Sequence, residues 1–146
     1  MGKLTQRLSD ASRSGVYRSA GGEEIEDAVR GTRLDLARVG LDGLEDKEAL
    51  LARIGEALGF PDWFGGNWDA LEDCLGDLSW RPGEGHVLLF AGGGALAADD
   101  LGVLLDVLKS SAAFWAERGR PFFAVFLDPD HAMALPELFR RKGTAA

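Results

Sequence analysis

The clearest pattern along the chain lies in its second half, where Val87–Phe90 and Phe122–Leu127 are continuous apolar runs. Runs of this length and composition mark strands buried on both faces. Between them Leu101, Leu104, Leu105, Leu108, Ala112 and Trp115 recur at helical spacing. Asp99 or Asp100 is placed to cap that helix and Gly119 to end it. Strand, long helix, strand is a right-handed βαβ unit with a parallel pair. The first half repeats the alternation more faintly. Val16 and Tyr17 suit a short edge strand; Ile25, Ala28 and Val29 fall on one helical face before Gly31; and Leu34, Leu36 and Val39 suit a strand. A helix from about Asp46 then carries Leu50, Leu51, Ile54, Ala57 and Leu58 as a stripe and stops at Gly59 and Pro61.

The pattern predicts an α/β fold: a small parallel β-sheet of three core strands, with a possible fourth short edge strand, and helices packed on it. Residues 1–14 are polar without a clean period and read as a flexible N-terminal arm. A single domain then spans 15–135, and 136–146 form a C-terminal tail or a short helix over Leu135–Arg141.

Composition changes this picture little, but charge changes it substantially. The 146 residues suffice for one domain with its own core, and 46% hydrophobic against 27% charged residues suits a globular chain. Cys74 is the only cysteine, so no internal disulfide forms, and with no signal peptide at the amino terminus a cytoplasmic location is expected. No apolar run is long enough to span a bilayer. A net charge of −8 disfavours nucleic acid and anionic membrane as partners and favours a cationic protein. The acid is concentrated. Between Phe60 and Trp80 stand Asp62, Asp69, Glu72, Asp73 and Asp77 without one Lys or Arg, together with Trp63, Trp68 and Trp80.

Within that window Phe60-Pro-Asp-Trp-Phe-Gly-Gly-Asn-Trp-Asp-Ala-Leu-Glu-Asp-Cys-Leu75 opens as an aromatic loop and turns into a helix, with Asn67 as its N-cap. On a helix from Trp68, the residues Trp68, Leu71 and Leu75 share a core face, while Asp69 and Asp73 stand one turn apart on another, with Glu72 beside them. Repulsion within such a stripe costs a few tenths of a kcal/mol, so it is unfavourable alone and favourable against a cation. Trp68 and Trp115 read as core, Trp63 fits core or surface, and Cys74 reads as a small core residue.

At these residues the chain resembles the barstar family, intracellular inhibitors of secreted microbial ribonucleases. The aromatic-Gly-x-Asn loop and the Asp-Ala-Leu-x-Asp-Cys-Leu helix carry the resemblance, which extends more loosely from about Arg33 to Asp128. It implies a three-stranded parallel sheet whose helix-and-loop edge plugs the active site of a guanyl-preferring ribonuclease. It also implies that the carboxylates of Asp69 and Asp73 stand in for a phosphate, with Trp63 packing beside the cleft. The partner-binding residues expected on this basis are Trp63, Phe64, Gly65, Asn67, Asp69, Glu72, Asp73 and Asp77, with no cofactor and no metal. The chain departs from the family at Glu72, where an aromatic is common. A further family aromatic is replaced by Leu78 or shifted to Trp80, and Glu117 is the candidate for an acidic contact on a later helix.

Three other functions compete. Gly92-Gly-Gly94-Ala-Leu-Ala97 after a strand matches a loose dinucleotide-binding pattern, but Asp99 and Asp100 face the phosphate position and Asp128 comes too late for the acid expected about 20 residues on. Asp69 with Asp73, or Asp128 with Asp130 and His131, offers carboxylates for catalysis or a metal, but Pro129 and Asp130 are ordinary turn residues and only two histidines exist. A non-enzymatic adaptor that binds some other basic protein through the same acidic and aromatic patch is the stronger alternative.

Overall fold

The computed structural model describes residues 2–139. In chain order the elements are α1 (Lys3–Leu8), β1 (Gly15–Ser19), α2 (Glu23–Val29), β2 (Leu34–Gly40), α3 (Lys47–Leu58), α4 (Trp68–Leu75), β3 (Gly85–Ala91), α5 (Ala98–Glu117) and β4 (Phe122–Leu127), with a 3-10 turn at Ala11–Arg13 after α1. The four strands form one sheet in the order β1-β4-β3-β2, every neighbouring pair parallel. The fold is therefore α/β with the fourth edge strand present.

Alternation along the strands sorts the apolar side chains between two faces. Ala37, Val39, Leu88, Phe90, Phe122, Ala124 and Phe126 point into the larger core with residues of α3, α4 and α5. In register, Val39 opposes Phe90 and Phe90 opposes Phe126, and the two phenyl rings stack at 4.7 Å. Val87, Leu89, Phe123 and Val125 point the other way, into a smaller core closed by Leu8, Ile25, Val29 and Leu138. Layers on both faces explain why β3 and β4 carry unbroken apolar runs.

Helix α3 begins where the sequence places it: Asp46 Oδ1 accepts from the Ala49 N–H at 2.8 Å, and Gly59 ends it in the left-handed region at φ +66°. The long helix α5 differs. Its N-cap is Ala97, with no side-chain cap, and Asp99 and Asp100 lie in the first turn, where they complement the helix dipole instead. The glycines before α5 serve the backbone. Gly92 has φ +87°, and a Cβ there would lie 2.8 Å from the Asp42 nitrogen, so the loop after β3 passes too close to that turn for any side chain.

Both ends correct the sequence-based boundaries. Lys3–Leu8 is helical rather than a loose arm, because Leu4 and Leu8, one turn apart, reach the smaller core; Leu8 is fully buried, and Thr5 Oγ1 donates to the Ala28 carbonyl at 2.9 Å. Residues 136–138 are neither tail nor helix. Arg18 N donates to Pro136 O and Leu138 N to Arg18 O, both at 2.9 Å, so this segment pairs with the free edge of β1 and buries Leu138. Of the short helix expected over Leu135–Arg141, Arg140 and Arg141 lie outside the described residues.

A buried arginine secures that closure. Arg18 Nε donates to Asp128 Oδ2 at 3.1 Å and Nη2 to the Asp128 carbonyl at 2.5 Å, while Nη1 reaches Glu137 Oε1 at 3.2 Å. The Asp128 oxygens also accept from the Ala132 and Met133 N–H groups at 2.8 and 2.9 Å. These donors, the two backbone N–H groups foremost, hold the Asp128 carboxyl below its usual range. Asp128 therefore works as the knot of a turn, and among the described residues no group of three His, Cys, Asp or Glu side chains is placed to hold a metal ion.

Candidate protein-binding site

The chain between α3 and β3 forms one continuous edge of the molecule. Leaving Gly59, it folds back through a Phe60 N–H bond to the Gly55 carbonyl at 2.8 Å, then turns with Phe64 N on Pro61 O at 3.0 Å. The Phe60 and Phe64 rings meet edge-to-face at 4.8 Å and lie over Gly55, where a Cβ would stand 3.3 Å from both rings. Gly66, at φ +69°, makes the bend, and Asn67 Oδ1 caps α4 by accepting from the Ala70 N–H at 2.7 Å. Pinned at both ends, the loop leaves Trp63 outermost, 59% exposed and the most exposed large apolar side chain among the described residues.

Helix α4 divides as its sequence requires. Leu71, Cys74 and Leu75 are fully buried, Trp68 is half-buried against the same core, and Asp69, Glu72 and Asp73 face outward. Asp77 follows just past the helix, also exposed. None of Asp62, Asp69, Asp73 or Asp77 takes part in any ion pair among the described residues, and Glu72 accepts only a 3.2 Å bond from Ser110 Oγ on α5. Asp69 gains from the positive N-terminal end of α4, but Asp73 stands in the last turn, where the dipole disfavours it. Burial raises the Cys74 thiol above its ordinary value, and the Asp73 and Asp77 charges add to the effect, so this cysteine is a poor nucleophile.

Of the residues expected to bind a partner, Trp63, Gly65, Asn67, Asp69, Glu72, Asp73 and Asp77 are exposed on this one edge, and Phe64 is half-buried beneath it. Asn67 and Phe64 have structural work: one caps the helix and the other fastens the loop. Leu78 is buried at φ +52° and offers no surface, whereas Trp80 packs edge-on against both Phe60 and Trp63. Glu117 is exposed on the last turn of α5. The periodicity does not mark Phe114. It neighbours the buried Trp115, points out of α5, is 36% exposed and lines a groove with Glu72, Asp73, Gly76 and Ser110. Its signal is the helical wheel, which puts the residue before a core tryptophan off the core stripe.

The edge joins an exposed indole to outward-facing carboxylates, and Asp69 and Asp73 on α4 enter no ion pair among the described residues. A sequence model of the family described as Barstar (barnase inhibitor) matches residues 34–127, from the first residue of β2 to the last of β4. The chain belongs to the barstar family. No curated protein is similar enough to count as a match. Helix α1, strand β1, helix α2 and the closing segment after β4 all lie outside the matched region. No helix among the described residues is long and apolar enough to cross a membrane.

Proposed function

We propose that the chain is a non-enzymatic inhibitor of a cationic, guanyl-preferring ribonuclease, acting in the cytoplasm against an enzyme destined for secretion. The family description, barnase inhibitor, supports the class. The observation that carries the reading is a set of four aspartates, Asp62, Asp69, Asp73 and Asp77, that enter no ion pair among the described residues and accompany an exposed Trp63 in a window of sequence without a cation. An enzyme that cleaves RNA must hold phosphate with Arg, Lys or His, and carboxylates on a rigid helix meet those groups in the phosphate's place. Asp69 and Asp73, one turn apart on α4, are the phosphate mimics; Trp63 packs at the rim, and Glu72 and Asp77 extend the negative field. Because α4 is buried along Leu71, Cys74 and Leu75, the carboxylates are presented without ordering on contact, which keeps the entropic cost of binding low.

The test uses barnase as the probe. Equimolar chain should abolish its cleavage of RNA, and association should slow as salt rises, since the field is screened beyond about 8 Å at physiological ionic strength. Binding of some other basic protein through Asp69 and Asp73, with barnase and related basic ribonucleases left active, would assign the patch to an adaptor.

A further inference from the structure

The exposed ring of Trp63 stands against a second indole, and that indole is tied down from below. The Trp63 and Trp80 ring centres are 6.4 Å apart, with the planes at 86°. Trp80 Nε1 donates to the carbonyl of Leu58 at 2.9 Å. That oxygen belongs to the last turn of α3, where helix carbonyls lack partners of their own. It takes a second donor, Arg81 Nη1, at 3.3 Å. The rest of the Arg81 guanidinium is clamped on Asp35 of β2, Nε to Oδ2 at 2.6 Å and Nη2 to Oδ1 at 3.1 Å. Asp35 is itself buried and receives His86 Nδ1 of β3 at 3.1 Å; the His86 ring lies edge-on to Trp115, whose Nε1 donates to Leu75 O at the end of α4.

We propose that Arg81 is a positioning residue for the binding edge: clamped on Asp35, it fixes the Leu58 carbonyl together with Trp80 and so holds the Trp80 ring as the shelf on which Trp63 stands. The planar fork makes this an arginine's task. One guanidinium serves the carboxylate with two N–H groups and the carbonyl with a third, a division that the single point charge of lysine does not reproduce. The Asp35–Arg81–His86 cluster thus links both parts of the edge to the sheet, the loop through Trp80 and the acidic helix through Trp115. The consequence for binding rests on the proposed function of Trp63 as a rim contact. An unsupported Trp63 would have to be ordered at the moment of contact, a cost that a held ring has already met.

Two indoles this close give an exciton couplet in the far-ultraviolet circular dichroism, assigned by its loss in Trp63→Phe. Wild type, Arg81→Lys and Arg81→Ala are compared well below their melting temperatures, and barnase affinity is measured for the same proteins and for Trp63→Phe with and without Arg81→Lys. Most of the couplet should vanish in both Arg81 variants. Affinity should fall about two- to tenfold in Arg81→Lys, from the ordering of one large side chain, and Arg81→Lys should cost nothing further once Trp63 is Phe. An unchanged couplet in both Arg81 variants overturns the proposal, as does an affinity loss fully additive with that of Trp63→Phe. A role confined to stability would lower the melting temperature and leave the couplet intact. Should Arg81→Ala fail to fold, Arg81→Lys, which keeps the charge facing Asp35, decides. If wild type does not bind barnase, the couplet still decides what Arg81 does, and only the reading of the edge as a barnase site falls.

Discussion

Asp73 and Leu71 sit two residues apart on α4 and have opposite duties. Asp73 is exposed, has no ion-pair partner among the described residues and stands at the dipole's unfavourable end, so the fold gains nothing from its charge. Asp73→Ala should leave the unfolding free energy from urea melts within about 0.5 kcal/mol of wild type. Against a ribonuclease that wild type inhibits, it should weaken binding by about 3–5 kcal/mol, since it leaves the enzyme's buried cations unpaired. Leu71 is fully buried in the larger core, and Leu71→Ala should lower unfolding stability by about 2–5 kcal/mol while the affinity of the folded fraction changes little. Calorimetric titration and urea melts on the same two proteins separate the roles; equal affinity for Asp73→Ala and wild type would remove Asp73 from the interface. Two aromatic residues nearby differ in how far the sequence places them. Phe64, expected at the contact, is half-buried because the turn of its loop, which spacing alone leaves open, lays its ring on the core, whereas the outward direction of Phe114 follows from its helical position beside Trp115 and only its place beside Glu72 and Asp73 needs the packing of α4 on α5.

Helix α4 is only eight residues long, too short to hold itself together in water, so its cap and its core face must fix it. Asn67→Ala, which removes the acceptor of the Ala70 N–H, should cost about 1 kcal/mol in thermal or urea unfolding. Elements with a strong local signal are legible in the sequence: the apolar runs of β3 and β4, the start of α3 near Asp46, the Asn67 cap, the Gly59 stop and the split of α4 into acid and core faces. Elements whose order comes from distant partners are not. The six-residue α1 is fixed by packing against α2 rather than by propensity, and residues 136–138 take their conformation from the edge of β1, more than a hundred residues earlier. The uncapped start of α5 escapes the pattern because Asp99 and Asp100, good caps in composition, fall inside its first turn.

At the scale of the whole molecule, two parts lie outside the family's common region and yet complete the core. Removing residues 1–33 would uncover Val87, Leu89, Phe123 and Val125, all nearly inaccessible, and free one edge of β4. The remaining fragment should self-associate in size-exclusion chromatography; a stable monomer would show that the smaller core is dispensable. Acid should also find two weak points. Burial holds His86 below the ordinary histidine range against the opposing pull of its hydrogen bond to Asp35 and the Asp35 charge, and the Arg120 and Arg81 charges lower it further. Above about pH 6.5 the imidazole is neutral in both folded and unfolded chains; below it the unfolded chain takes up a proton first, so stability should fall by up to about 1.4 kcal/mol per pH unit until the folded value is reached. His86→Gln should flatten that slope in urea melts. The Asp128 contribution, present above about pH 3.9, should be lost only later, as pH falls through its lowered folded value. The most direct test of the central claim is the steady-state cleavage of RNA by barnase titrated with wild type and with the Asp69→Ala, Asp73→Ala double variant. Loss of cleavage at one equivalent of wild type, with full activity beside the same amount of the double variant, is the expected result; inhibition that survives the loss of both carboxylates, or no inhibition by wild type at all, would contradict it.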